Sequence, residues 1–73
     1  MLTSELLKSL TEEELGILFM IAYNIFNYEV SYNSLKVIKK EPLVNILEQL
    51  KNLIKEENKN ILENFQKKLL EYN

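Results

Sequence analysis

The sequence predicts an all-α protein, a small bundle of four to five short helices around a central apolar helix at about residues 12–28. Three observations predict it. Thr11 and Glu14 have the spacing of a capping box, in which a hydroxyl and a carboxylate each satisfy an amide at a helix start. The stretch that follows, Leu15 to Tyr28, is the densest apolar run of the chain. From Leu43 to Ile54 apolar residues recur at three- and four-residue intervals, the period of a helix with one buried face.

The first element is a short helix in SELLKSL, capped by Thr3 or Ser4, with Leu6, Leu7 and Leu10 gathered on one side. Two turns do not hold by themselves, because helix nucleation is costly, so these leucines are expected to lie against the central helix. In that helix Leu10 and Leu15 occupy the positions of a hydrophobic staple, and Glu12 and Glu13 favour the positive end of the helix dipole. Advancing about 100° per residue, Gly16, Asn24 and Asn27 share one narrow sector whose only apolar member is Met20. The remaining apolar positions span roughly 240°, so the helix is expected to be covered on three sides, with the glycine-asparagine sector as its open side.

After Tyr28 the alternation Glu29, Val30, Ser31, Tyr32 reads as a loop, since a lone extended segment finds no strand partner. Asn33 is then a cap for a short helix, SLKVIKK, with Leu35 and Ile38 inward. Pro42 closes it, with a boundary expected at Glu41 and with the proline opening the next helix. That helix places Leu43, Ile46, Leu47, Leu50, Leu53 and Ile54 on an arc of about 120°. Beyond it, Glu56 to Asn60 interrupt the pattern without glycine or proline. The stretch from Leu43 to Tyr72 is therefore either one rod with a coiled-coil seam or, as expected here, two antiparallel helices, the second capped by Asn60 and carrying a Glu63–Lys67 pair.

With 73 residues the chain is expected to form a single helical domain over 1–73. A domain of this size buries only about 60% of the surface its unfolded chain exposes. Cysteine and histidine are absent, so disulfides and thiolate or imidazole metal sites are excluded, and tight helix packing or self-association must supply stability. The central run is also too short and too interrupted to span a bilayer, which takes about 20 apolar residues. Glutamates ahead of that run, where a secretory leader carries bases, point to a cytoplasmic protein. Nine asparagines, nine lysines and seven isoleucines, all with AT-rich codons, point to an AT-rich genome such as that of a low-GC bacterium or its virus.

Enzyme chemistry is not expected. Without histidine, cysteine, aspartate or arginine the usual triads, thiol nucleophiles and arginine clamps cannot be built, so no catalytic residue is assigned. One glycine cannot make a phosphate loop, and the oxygen-ligand spacing of a calcium loop is missing, so no cofactor or metal is expected. The charge balance is nine lysines against eleven glutamates, a net −2 that creates no strong field toward nucleic acid or anionic lipid.

What remains is an excess of apolar and aromatic positions over what one small core can bury. The expected function is accordingly a non-enzymatic interaction or regulatory protein that forms a homodimer or binds a larger protein partner. Its candidate contacts are Met20, Tyr23, Tyr28, Tyr32, Leu43 and Val44, the last two at an exposed helix start.

The order of long helix, short helix, turn at Glu41 and Pro42, and longer helix, spanning about Leu15 to Ile54, resembles a helix-turn-helix unit. That resemblance implies a DNA-binding regulator whose recognition helix starts near Pro42. It would offer Asn45, Gln49, Lys51 and Asn52 to bases and Lys36, Lys39, Lys40 and Lys55 to phosphates. Glu41 and Glu48 on the same helix oppose a polyanion, so nucleic acid is the second expectation.

Overall fold

The computed structural model describes residues 1–72, and among them every regular element is helical. Helix α1 spans Ser4–Ser9, with the Thr3 hydroxyl accepting from the Leu6 amide at 3.2 Å. Leu2, Leu6, Leu7 and Leu10 are all buried, and the Leu2 amide donates to the Lys36 carbonyl at 3.2 Å.

Helix α2 spans Glu12–Phe26 and starts where the sequence predicts, because the capping box is complete. Thr11 Oγ1 accepts from the Glu14 amide at 3.2 Å, and Glu14 Oε1 accepts from the Thr11 amide at 2.8 Å. The helix ends two residues before the expected Tyr28. Asn27 takes the left-handed conformation (φ 63°, ψ 22°), one that asparagine tolerates better than most residues, and its amide closes on the Tyr23 carbonyl at 2.8 Å.

The loop predicted after Tyr28 is present, but the short helix that follows is a 3₁₀ segment over Tyr32–Val37, with Ser31 rather than Asn33 before it. Leu35 within the segment and Ile38 immediately after it are both buried, so this short stretch brings two anchors to the core.

Helix α3 spans Lys40–Lys51 and begins earlier than predicted, with Lys39 before its first residue and Pro42 third. The proline fits there because the first four amides of a helix have no intrahelical partner, and the carbonyl its ring would strike belongs to Ile38, outside the helix. At the other end α3 stops at Lys51, so Leu53, expected on the apolar arc, leaves it and is 80% exposed.

After a second 3₁₀ segment at Glu56–Asn58, helix α4 runs over Lys59–Glu71. Residues 43–72 are thus two helices rather than one rod. Contacts of Lys40 with the Tyr72 carbonyl, Val44 and Glu48 with Gln66, and Leu50 with the Leu62 region make them antiparallel. The expected Asn60 cap is not used: Asn58 precedes the helix, and its side chain makes no cap bond. The Glu63–Lys67 pair does not form either. The lysine–glutamate pairs of the described residues are Lys51–Glu48, Lys59–Glu56 and Lys68–Glu14.

Helix α4 packs against α1, α2 and α3, while α2 packs against α4 and the 3₁₀ segment at Tyr32–Val37. Helix α2 gives Leu18, Ile21 and Ala22 to the core and α4 gives Leu62, Phe65 and Leu69, while Leu6, Leu7, Leu35, Leu43 and Leu47 complete it from the other elements. The Cα radius of gyration, 11.5 Å, is close to the value of about 11 Å expected for a compact globule of this length. No helix among the described residues is long and apolar enough to cross a membrane.

Two polar side chains are carried into this core, and both are satisfied. Glu14 is 2% exposed and receives Lys68 Nζ at 2.6 Å; the same ammonium donates to the Ser9 carbonyl at 2.8 Å, joining α4 to the junction of α1 and α2. Gln66 donates to the Val44 carbonyl and to Glu48 Oε2, and accepts from Lys51 Nζ at 3.1 Å. No buried side-chain nitrogen or oxygen among the described residues lacks a partner.

Candidate functional site

Coverage of α2 is narrower than its composition predicts. Leu18, Ile21 and Ala22 are its only fully buried apolar residues; Leu15, Ile17, Phe19 and Phe26 are half-buried. Gly16, Met20, Asn24 and Asn27 face solvent, the sector expected to be open, and the opening extends to Tyr23 and Ile25. The physical reason is area: α4 covers one flank and the 3₁₀ segment another, and too little chain remains to cover a third.

Two concave surfaces meet at Met20. The first, of about 420 Å³, is a trough between α2 and the loop after it, formed by Gly16, Phe19, Met20 and Tyr23 with Glu29 and Val30. The second, of about 220 Å³, lies between α2 and the α3–α4 connection, lined by Ile17, Met20, Leu50, Ile54, Ile61 and Leu62 with Asn58 at its margin. Met20 is 50% and Tyr23 52% exposed. Methionine at the ridge between two hollows gives an unbranched, adaptable side chain that repacks against differently shaped partners. Asn24 does not compete for a ligand there, since its amide donates back to the Met20 carbonyl at 2.9 Å.

The other candidate contacts are dispersed. Tyr28 is exposed with its ring tilted against Phe26 at 6.0 Å, and Tyr32 is exposed on the 3₁₀ segment; neither lines the hollows at Met20. Leu43 is not a surface residue. It is 0% exposed, because the earlier start of α3 makes it the fourth residue of the helix, on the buried face with Leu47. Val44 is half-buried against the core beside a separate cleft with Lys40, Glu41, Asn45, Leu69 and Leu70.

The residues proposed for nucleic acid fall into two groups and do not converge. Lys36, Lys39 and Lys40 lie before or at the start of α3, and Lys55 lies beyond its end, roughly 18 Å of helix away at 1.5 Å per residue. Lys40 is held by the Tyr72 carbonyl, and Lys51 by Glu48 and Gln66. Asn45, Gln49 and Asn52 are exposed, but on the helical wheel Glu41 and Glu48 stand in the same sector. The Gln66 amide, and secondarily Lys51, hold the Glu48 carboxyl below its ordinary value of 4.5, so it stays charged.

Sequence periodicity finds the exposed side of α2 but not its walls. Phe19, Glu29, Val30, Leu50, Ile54 and Ile61 join the hollows only because a loop and a helix connection fold over that helix. Among the described residues no group of three or more carboxylates is placed to hold a metal ion. No family model matches the chain, and no curated protein or solved structure matches it either.

Proposed function

We propose that this chain is a non-enzymatic interaction protein whose α2 face, centred on Met20 and Tyr23, docks onto another protein or a second copy of the chain. The observation that carries the reading is the pair of apolar hollows meeting at a half-exposed methionine on the most apolar helix of the fold. Side chains at such a position lose water contact only when a partner supplies a surface. The residue inventory supports a non-enzymatic reading, since cysteine thiols and the histidine that activates a serine in the usual triads are lacking. An intracellular setting belongs to the same proposal. The DNA reading has weaker support, because the exposed sector of α3 carries two carboxylates and the lysines are split between its ends.

The test is a photo-cross-linking residue at Tyr23 in the full chain, expressed in cells, combined with sedimentation velocity of the purified protein. The expected result is a cross-linked adduct, with another protein or with a second copy, that disappears in Met20→Glu while the variant's thermal midpoint stays close to wild type. Absence of any adduct, together with a monomer at high micromolar concentration, overturns the proposal.

A further inference from the structure

One stretch of this chain carries negative side chains and no positive ones. Between Lys8 and Lys36 lie four glutamates, Glu12, Glu13, Glu14 and Glu29, and no base; all nine lysines and the other seven glutamates lie outside that interval. Glu14 turns inward to Lys68, whereas Glu12, Glu13 and Glu29 are exposed and form no ion pair among the described residues. On the helical wheel Glu12, Glu13, Gly16, Met20, Tyr23 and Asn27 fall within about 100°. Glu29 lines the trough from the loop that follows α2. The exposed face of α2 is thus a largely apolar trough with two carboxylates on the helix turn before it and one on its loop wall.

Gly16, the only glycine of the chain, lies in that trough. Nothing in the fold requires it: its φ is not positive, and a Cβ built there meets nothing within 4 Å. Glycine inside a helix is destabilising relative to alanine, so the position carries a cost with no return within the chain's own structure. What the missing side chain does provide is room for another backbone to approach α2 closely.

We propose that the trough binds a basic amphipathic helix of a partner protein. The partner's backbone crosses at Gly16, its apolar side chains fill the space between Phe19, Met20, Tyr23 and Val30, and its lysines or arginines reach Glu12 and Glu13 on the first turn of α2 and Glu29 on the loop wall. From Glu13 to Asn27 the face is about 21 Å long, room for roughly four turns of a bound helix. A second copy is the poorer occupant, because a two-fold pairing of α2 faces brings together two surfaces that carry exposed carboxylates and no base. The inference rests on the reading of α2 as a docking face and adds the chemistry of what docks.

The probe is an 18-residue synthetic peptide with leucine at helical i, i+3, i+4, i+7 spacing and lysine elsewhere, with a companion carrying glutamate for lysine. Both are titrated into the isotope-labelled full chain and followed by amide chemical shifts and by anisotropy. The lysine peptide is expected to bind at least about tenfold more tightly than its companion, with the preference shrinking at high salt. The largest shifts are expected at Gly16 to Tyr23. Gly16→Leu, which changes no charge, is expected to weaken the lysine peptide about tenfold or more while leaving the thermal midpoint unchanged or raised. Equal binding of the two peptides, shifts centred elsewhere, or unaltered affinity in Gly16→Leu overturns the inference. A dimer in sedimentation that Gly16→Leu dissolves also overturns it, in favour of a second copy. In each of these cases a Tyr23 cross-link lost in Met20→Glu would leave the docking reading standing, so the two failures are distinguishable.

Discussion

Helices α2 and α4 are of similar length, yet they use their apolar residues in opposite ways. Of the ten apolar residues of α2, three are fully buried; of the five of α4, three are. The more apolar helix is therefore the less economically buried one. Burial follows arrangement rather than content. Helix α4 keeps Leu62, Phe65 and Leu69 on one stripe and touches three other helices, while α2 spreads apolar side chains around most of its circumference and finds neighbours for only part of it. A helix that exceeds its own domain's capacity to cover it has surface to give to something else.

The contrast can be broken most directly by truncation. Phe65→Ala is expected to cost about 3–5 kcal/mol in chemical denaturation, whereas Ile25→Ala on the exposed side of α2 should stay within about 0.5 kcal/mol. Comparable losses at the two positions would show that the exposed side of α2 is packed in solution. Lys68→Met comes next, at about 1.5–3 kcal/mol, because it strands the Glu14 carboxylate inside the bundle with its capping bond alone. Gly16→Ala should act in the other direction, raising stability by about 0.5–1 kcal/mol in the same assay. The smallest effect concerns Glu48, whose carboxyl is held low by Gln66 and Lys51. A depressed folded-state value contributes stability above the ordinary value of 4.5 that is lost as pH falls through the folded value. The thermal midpoint of Glu48→Gln should thus lie slightly below wild type at pH 7 and converge with it in more acidic buffer.

Local chemistry explains which of these features the sequence discloses. The start of α2 is legible because Thr11 and Glu14 settle it within three residues, and α1 is legible because its three leucines share one side of two turns. Leu43 misleads because the usual place of proline at the first helical position sets the start of α3 two residues late, which turns a core residue into an apparent surface one. Leu53 misleads for the converse reason: its period is right, but the helix has already ended. Glu14 is read correctly as a cap, while its second partner lies 54 residues away and leaves no periodic trace. The open side of α2 follows from the wheel alone. The trough walls at Glu29 and Val30 depend on how the loop after Asn27 returns, which only the assembled fold defines.

Glu14 has a further consequence for the order in which the molecule assembles. A single oxygen, Oε1, accepts both from the Thr11 amide three residues away and from the Lys68 ammonium in the last helix. The first bond needs only a turn of chain and belongs to events on the helix-forming timescale, about a microsecond or less. The second closes a loop across 54 positions of sequence and can form only once α4 has docked. One atom thereby joins a contact that a single turn can make to one that waits on tertiary docking, and mutating each partner separately reads them apart. Loss of the Thr11 hydroxyl should slow refolding if the cap is formed in the transition state, whereas loss of Lys68 should chiefly hasten unfolding.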